Sequence, residues 1–579
     1  MAHVNWNNPQ TGERAQFVAD VIKESLFDYA FDSNKIPSLN LHFFCKDYLS
    51  TYDLVKEGTM KVGNMIPLNE EFENILATSP WLPEGIGLSM LSFRGKNGEY
   101  QDAFKDKNLD DAKRSEYYSD CVAYINDRLD GKNSYCSLLL LEIATLLKGQ
   151  AYGYEEQETL YFCTREFLCE LVNIGISKTH IYNETLDKLF SAITPADDIQ
   201  YIVDFLQSLR PSVKKYTVVL GISKTAYEEL NGISKSLRVA TADETKRIGA
   251  EYVAETIMEE YDPVSAVSNA KKTIAIFLGM YNSFVHSEEM TVLDAALVKQ
   301  ENQTHFRKVN SSPNLMRKHQ SKRKGDRMDG LRVTLSSNLS GSLMGAFELH
   351  NIAINSRNPE TQLLMMWTIF EILIETSQDT MSRVNYITNA VSSILCNQYH
   401  ARIIHTLYKQ ISLTTSVITK VAIEQRGNSR EEKLAFILKD NTTLQEGIKA
   451  ELSTYPLEVF KINKYSQILS NPETMKENMR RHSRRVRWQV MRIYRNRCMI
   501  VHDGSHLPYI NNIIENLHFY VDSMLDFMIL QAKGGMSNPK AIFSAARVQE
   551  KNTLDLLSRK HTALNDKEFV STVFCSERE

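Results

Sequence analysis

One stretch of the chain, residues 479–501, does most to limit how this protein can fold. It contains no acidic residue, and eight arginines fall within eighteen consecutive positions. Apolar residues are interleaved at helical spacing, so one face of a helix would be apolar and the other would carry guanidinium groups. The pattern predicts a long amphipathic helix in a helical bundle. The arginines are Arg480, Arg481, Arg484, Arg485, Arg487, Arg492, Arg495 and Arg497.

These like charges need a counterpart. A salt-bridged surface helix normally alternates charge sign, and this one does not. We therefore expect the polar face to contact an external polyanion, with nucleic-acid phosphates bound by Arg480, Arg481, Arg484, Arg485, Arg487 and Arg492. The alternative is that acidic helices elsewhere in the bundle neutralise the arginines.

The end of this helix brings an arginine and a histidine together. Arg495 and His502 are seven positions apart, and at about 100° per residue both would lie on one helical face. Gly504 is a plausible C-cap, which places His502 in the last turn. Arg497 is only five positions from His502 and would point about 140° away on a regular helix. The spacing therefore favours Arg495 as the partner of His502.

Composition excludes several classes of protein. The net charge of −4 means that nucleic-acid contact must come from local patches. No apolar run is long enough to span a bilayer and no secretory signal is visible, so we expect a cytoplasmic protein without membrane contact. The eight cysteines form no CxxC pair, so neither a metal site nor a cofactor is expected. No P-loop, HExxH or GxSxG pattern occurs.

Four regions are predicted along a mainly α chain. Residues 1–300 are expected to be a helix-rich sensor or regulatory region that includes a helix at 250–260. A minor β component is also expected there, with a buried strand at 215–222. Residues 301–334 form a basic linker, either a solvated connector or a strap on phosphates. Residues 335–540 form a helical bundle, with helices at 342–356, from Pro359 onward and at 403–421. Residues 541–579 form a C-terminal tail.

Two groups of residues resemble the HEPN domains, specifically their Apea-like branch. The first is Tyr494-Arg495-Asn496-Arg497 followed by Ile500-Val501-His502-Asp503-Gly504, which is similar to the R-x(4–6)-H signature with a polar residue after the arginine. The second is Asn358-Pro359-Glu360 with Trp367 and Glu371, which resembles an early helix of that branch. In many relatives only four residues separate the arginine from the histidine, and this shorter spacing would select Arg497 here. The resemblance covers residues 335–540.

The resemblance implies a metal-independent endoribonuclease. His502 would transfer protons, Arg495 would stabilise the phosphorane, and Asn496 would orient the histidine or the phosphate, with Arg497 and Glu371 as auxiliary residues. It also implies a homodimer or larger even assembly, and a latent toxin in antiphage defence whose N-terminal region senses a phage-derived or protein trigger. The alternatives are an inactive HEPN scaffold that binds nucleic acid and a protein-interaction module.

Overall fold

Helices make up most of the protein and antiparallel strands supply a minor β component, as the sequence predicts. The chain forms two compact units, Met1–Glu170 with Pro195–Ile199 and Lys318–Glu579, and Leu171–Thr194 with Gln200–Arg317. The computed structural model describes the chain except for residues 1–11, 27–36, 79–91, 95–99, 103–109, 131–133, 191–198, 231, 233–235, 286–290, 311–340, 357, 375–381, 505–508, 534–535, 537, 560–563 and 575–579.

The N-terminal part of the first unit contains six helices among the described residues and a short hairpin. The helices are α1 (Glu13–Ser25), α2 (Leu41–Lys56), α3 (Ile66–Thr78), α4 (Asp111–Asp130), α5 (Tyr135–Lys148) and α6 (Tyr154–Ile174), with a 3-10 turn at Val62–Asn64. The antiparallel hairpin pairs β1 (Ser92–Arg94) with β2 (Tyr100–Asp102). The helix predicted over residues 157–174 is confirmed by α6.

The second unit is built around a five-stranded antiparallel sheet with strand order β4-β5-β3-β6-β7. Its elements are α7 (Lys178–Thr185) with a π-turn (Leu186–Phe190), α8 (Ile199–Ser208), β3 (Lys214–Ile222), α9 (Lys224–Leu230), β4 (Leu237–Val239), α10 (Ala242–Ile248), β5 (Tyr252–Glu260), α11 (Pro263–Val285), β6 (Val292–Gln300) and β7 (Arg307–Asn310).

Strand β3 lies at the centre of this sheet because its β-branched residues are buried on both faces. Val219 pairs with Glu255 of β5 on one side and with Leu297 of β6 on the other. The buried strand predicted at 215–222 is confirmed. Gly221 is required there, because a Cβ at this position would lie 2.9 Å from Ala250 Cβ.

Two predictions for this region are wrong. Residues 250–260 were expected to be helical, yet Tyr252–Glu260 is strand β5. Its apolar residues happen to recur at four-residue steps, and pairing with β3 overrides that local signal. The basic linker was expected from residue 301, yet Arg307–Asn310 is strand β7, paired with β6. The remainder of the predicted linker, residues 311–334, lies outside the described residues.

The C-terminal part of the first unit is entirely helical among the described residues. It comprises α12 (Gly341–Asn355), α13 (Pro359–Leu373), α14 (Arg383–Asn397), α15 (Tyr399–Ile411), α16 (Thr415–Ile423), α17 (Arg430–Asp440), α18 (Thr442–Glu451), α19 (Pro456–Leu469), α20 (Pro472–Asp503), α21 (Ile510–Lys533), α22 (Pro539–Arg559) and α23 (Asp566–Phe574). Asn358 caps α13 by accepting a hydrogen bond from Thr361 N at 2.7 Å, with Pro359 in the first turn. The predicted start of this helix is confirmed.

The domain boundaries differ from those expected. Residues 541–579 do not form a separate tail, because Leu557 on α22 and Phe569 on α23 are buried in the bundle core with Phe436 of α17. Residues 1–170 do not form a separate regulatory region either. They share a unit with the bundle, and Phe17 of α1 packs edge-on against Phe460 of α19 at 5.5 Å. The helix predicted over 403–421 is two helices, α15 and α16.

Candidate active site

The basic helix exists and ends where the sequence predicts. Helix α20 runs from Pro472 to Asp503, and the Asn471 side chain caps it by accepting a hydrogen bond from Glu473 N at 2.8 Å. At the other end Gly504 adopts φ 62°, and its N–H donates to the Ile500 carbonyl at 3.2 Å. Glycine takes this left-handed conformation at little cost. His502 is therefore held in the last turn of the helix.

The arginines of α20 do not share one exposed face. Arg492 and Arg495 point into the protein, where their side chains are 3% and 1% exposed. Asp47 of α2 accepts hydrogen bonds on Oδ2 from Arg492 Nε at 3.2 Å and from Arg495 NH2 at 3.0 Å. Glu71 of α3 accepts a further hydrogen bond from Arg492 NH2. The prediction that Arg492 contacts RNA phosphates is therefore wrong: its charge is neutralised internally.

Burial and charge act in opposite directions on these carboxyl groups. Burial alone would raise the pKa of Asp47, but the guanidinium groups of Arg495 and Arg492 outweigh it and hold the pKa below its usual value. At Glu71 burial prevails over Arg492, so its pKa is raised. Asp47 is thus the ionised partner of the pair of arginines. Tyr509 completes the cluster by donating a hydrogen bond from its hydroxyl to Asp47 Oδ1 at 3.2 Å.

Arg495 and His502 do not meet in a common open volume, contrary to the spacing argument. Arg495 is engaged with Asp47 in the interior, whereas His502 is exposed. Asn496 is also fully buried, and its Nδ2 donates to the Arg492 carbonyl at 2.7 Å. The Asn496 side chain is therefore hydrogen-bonded to the backbone of its own helix and does not orient His502. The spacing argument placed both side chains on one helical face, but it could not reveal the acidic partner of Arg495 in the interior.

Arg497 lies on a different side of α20, and it is half-buried. Its neighbour Tyr494 packs against Trp367 of α13, with ring centroids 5.5 Å apart. Trp367 in turn donates its Nε1–H to Glu371 Oε1 at 2.9 Å. Glu371 is half-buried and lies close enough to Tyr494 to help raise the pKa of that hydroxyl, after burial and Cys498. The two segments that carried the resemblance therefore pack together.

The five remaining arginines of the basic stretch are exposed. They are Arg480, Arg481, Arg484, Arg485 and Arg487. Arg484 pairs with Glu477 at 3.0 Å, and Arg487 Nε donates to Ser392 Oγ at 3.5 Å. Arg481 and Arg485 instead line a cavity. The exposed basic surface is therefore confined to the first half of α20.

The cavity beside Arg481 and Arg485 combines cations with aromatic rings. It encloses about 100 Å³ and is lined by Tyr161, Arg165, Tyr399, Phe460, Lys461, Lys464, Tyr465, Ile468, Asn478, Arg481 and Arg485. Carboxylates neutralise the two lysines: Lys461 pairs with Glu24 of α1 and with Glu458 of its own helix, and Lys464 pairs with Glu158 of α6. No described carboxylate forms an ion pair with Arg165, Arg481 or Arg485. The rings that line the cavity are buried, so the guanidinium groups are the part of it that suits a phosphate.

Sequence reasoning missed Asp47, Glu71 and Arg165. Asp47 is 448 positions from Arg495, so no local pattern connects them. The only available signal was an acidic residue in the middle of the aromatic segment Leu41–Lys56. A carboxylate on an apolar face requires an internal cation. The sequence offered no means of identifying which cation.

Comparison of this chain with protein-family models, with curated proteins and with solved structures finds no match. Of the helices that the structure describes, none has both the length and the apolar character needed to cross a bilayer. The fold and the site define a mainly α protein with a long arginine-bearing helix that ends at an exposed histidine.

Proposed function

We propose that this protein is a metal-independent endoribonuclease of the HEPN type in which Arg497 and His502 act on the RNA. The observation that carries the proposal is the difference in exposure between three side chains near the end of α20. His502 is exposed at the helix end and Arg497 is partly exposed, whereas Arg495 is locked against Asp47. An arginine already neutralised in the interior cannot stabilise new charge on a phosphate. Arg497 therefore replaces Arg495 as the catalytic arginine.

The chemistry follows from RNA itself. The 2′-hydroxyl is an internal nucleophile, so the protein has only to move protons and stabilise the charge of the phosphorane. His502 removes or delivers the proton, and the Arg497 guanidinium stabilises the non-bridging oxygens. The products are a 2′,3′-cyclic phosphate and a 5′-hydroxyl. DNA lacks the nucleophile and resists cleavage.

The exposed half of α20 supports RNA binding. Arg480, Arg481, Arg484, Arg485 and Arg487 present guanidinium groups to solvent, and Arg481 and Arg485 also line the cavity with Arg165. Much of this binding would come from phosphate contacts and would weaken with salt.

A dimer reconciles the positions of Arg497 and His502. They are five positions apart and diverge by about 140° around the helix. A symmetric dimer with two facing α20 helices lets Arg497 of one chain approach His502 of the other. Two such sites share one cleft, which also supplies the second proton-transfer group that the reaction needs.

Latency in antiphage defence, with a phage-derived or protein trigger acting on the N-terminal helices, completes the proposal. Asp47 of α2 and Glu71 of α3 hold Arg492 and Arg495 of α20. Any event that shifts α2 or α3 therefore changes the support of the catalytic helix. This coupling requires no contact between the trigger and the RNA.

Cleavage of labelled RNA in the presence of EDTA tests the activity. We expect Arg497→Ala and His502→Ala each to slow cleavage about 100-fold or more, as loss of a general acid–base or a charge-stabilising group does. Arg430→Ala, which removes an exposed arginine of α17, serves as the control and retains activity. The same variants are compared for toxicity in phage-infected cells, because the proposed latency makes cleavage depend on a trigger.

Other outcomes favour the alternatives. RNA binding without cleavage or toxicity identifies a nucleic-acid-binding scaffold, and loss of both activities identifies a protein-interaction module. Slower cleavage after Arg495→Lys at unchanged thermal stability, with Arg497→Ala fully active, would return the catalytic role to Arg495.

Mixed dimers test the shared cleft. Subunits carrying Arg497→Ala are combined with subunits carrying His502→Ala, and formation of the mixed dimer is checked by native mass spectrometry. If each site uses Arg497 of one chain and His502 of the other, a mixed dimer contains one complete site and recovers up to about half of the wild-type rate. Mixed dimers as inactive as their parents would show that the site lies within one chain.

A further inference from the structure

A second cluster of chemically reactive side chains lies between helices α12 and α21 of the C-terminal bundle. His518 and Asp522 are one turn apart on α21, so they share a face. His350 of α12 meets them from the opposite helix. Among the described residues this is the one group of three whose ligand atoms could hold a metal ion.

The distances between the three side chains match the edges of a coordination polyhedron. His350 Nε2 lies 3.0 Å from Asp522 Oδ1, and His518 Nε2 lies 3.5 Å from Asp522 Oδ2. All three ligand atoms lie within 4.8 Å of one another. Two ligands of a tetrahedral zinc ion, each about 2.1 Å from the metal, are about 3.4 Å apart. Small side-chain rotations would therefore centre an ion among them.

Burial makes the group costly without a cation. The side chains of His350, His518 and Asp522 are only 17%, 8% and 9% exposed. Burying a carboxylate is costly in the absence of a nearby positive charge. The two rings stack with centroids 5.6 Å apart, which holds both in place. A dication would neutralise the carboxylate without requiring either imidazole to be protonated.

We propose that His350, His518 and Asp522 bind a divalent transition-metal ion, with Zn²⁺ as the best fit. Two imidazole nitrogens and one carboxylate oxygen are borderline ligands that suit Zn²⁺ and disfavour Mg²⁺ and Ca²⁺. Three protein ligands leave a fourth position for water or a further donor. The ion links α12 to α21, so it stabilises the bundle. This site is separate from Arg497 and His502, and RNA cleavage does not pass through the metal.

Titration of metal-stripped protein with Co²⁺ tests the site, because Co²⁺ replaces Zn²⁺ and reports its ligands by visible absorption. We expect one equivalent of Co²⁺ per chain, displacement by Zn²⁺, and a rise of a few degrees in the thermal unfolding midpoint when Zn²⁺ is added. Asp522→Asn keeps the shape of the side chain but removes the charge, and it should weaken binding at least 10-fold. His518→Ala should do the same.

The control is His405→Ala, which disrupts a pair of His405 with Glu431 at 3.1 Å on other helices of the bundle. It should bind Co²⁺ as the wild type does. Circular dichroism checks that each variant is folded. If an alanine variant unfolds, the result for Asp522→Asn decides the test. Absence of stoichiometric binding by the wild type, or equal binding by Asp522→Asn, would overturn the proposal. RNA cleavage in EDTA is a separate result, so either proposal can fail alone.

Discussion

At the scale of single residues, one buried carboxylate forms ion pairs with both inward-facing guanidinium groups of α20. Asp47 is completely buried and accepts hydrogen bonds from Arg492, Arg495 and Tyr509. Removal of one member of a buried ion pair leaves an uncompensated charge in the interior. We therefore expect Asp47→Ala to lower the free energy of unfolding by about 3–5 kcal/mol, measured by urea denaturation.

Asp53→Ala is the matched control for Asp47→Ala, because Asp53 is an exposed aspartate on the same helix. It should change stability by less than about 0.5 kcal/mol. Equal stability of the two variants would mean that Asp47 does not stabilise the buried charges of Arg492 and Arg495.

The residue scale also shows where sequence reasoning reached its limit. The position of His502 in the last helical turn and the Gly504 cap were predictable, because both depend on residues within one turn. The ion-pair partner of Arg495 was not predictable. That partner is Asp47, whose proximity is created by tertiary packing alone. Local spacing thus placed Arg495 and His502 on one helical face but could not show that Arg495 would meet Asp47.

At the scale of elements, the same contrast separates the two strands of the central sheet. Residues 215–222 were recognised because a β-branched run ending near a glycine has few other interpretations. Residues 252–260 were not, because apolar residues at Val253, Ile257 and Met258 fit a helical period. Strand β5 forms because β3 offers it a hydrogen-bonding edge. That edge is not visible in the local sequence.

The junction of α15 with α20 should be sensitive to acid. His482 of α20 stacks on Tyr399 of α15 at 3.9 Å, and burial lowers the pKa of the neighbouring His400 to about 4. An unfolded histidine takes up a proton below about pH 6.5, whereas the buried imidazole stays neutral until about pH 4. The unfolded state therefore binds more protons in this window, and stability falls as the pH falls.

His400→Gln isolates this contribution. Between about pH 7 and about pH 4.5 we expect the variant to lose about 2–3 kcal/mol less stability than the wild type, measured by urea denaturation at both pH values. Thr406→Ser on the same helix is the control, since it removes no titratable group, and its profile should follow the wild type. A His400→Gln profile parallel to the wild type would contradict the buried neutral imidazole.

At the scale of the whole molecule, the chain order and the structural units do not coincide. The second unit, Leu171–Thr194 with Gln200–Arg317, interrupts the first, which joins residues before Glu170 to those after Lys318. The sequence predicted a boundary near residue 300, where the basic composition begins. Composition identifies a change in the chain, but it cannot show that two distant segments share one core.

This organisation predicts how fragments fold. Residues 171–317 contain the whole five-stranded sheet and the core that α11 forms with it, so we expect this fragment to unfold cooperatively by itself. We do not expect residues 318–579 to unfold cooperatively by themselves. Without α1 and α2 they lose the contact of Phe17 with Phe460, the pairing of Lys461 with Glu24, and the pairing of Arg492 and Arg495 with Asp47.

Thermal unfolding followed by circular dichroism distinguishes the two fragments. Residues 318–579 alone should be insoluble or should melt without a sharp transition, because the lost ion pairs and the missing apolar contacts together cost several kcal/mol. Co-expression with residues 1–170 should restore a soluble complex, and the same co-expression with Asp47→Ala should restore it less well. A sharp transition for residues 318–579 alone, near that of the full chain, would show instead that the bundle is an independent domain and that the helices before Glu170 only lie against it.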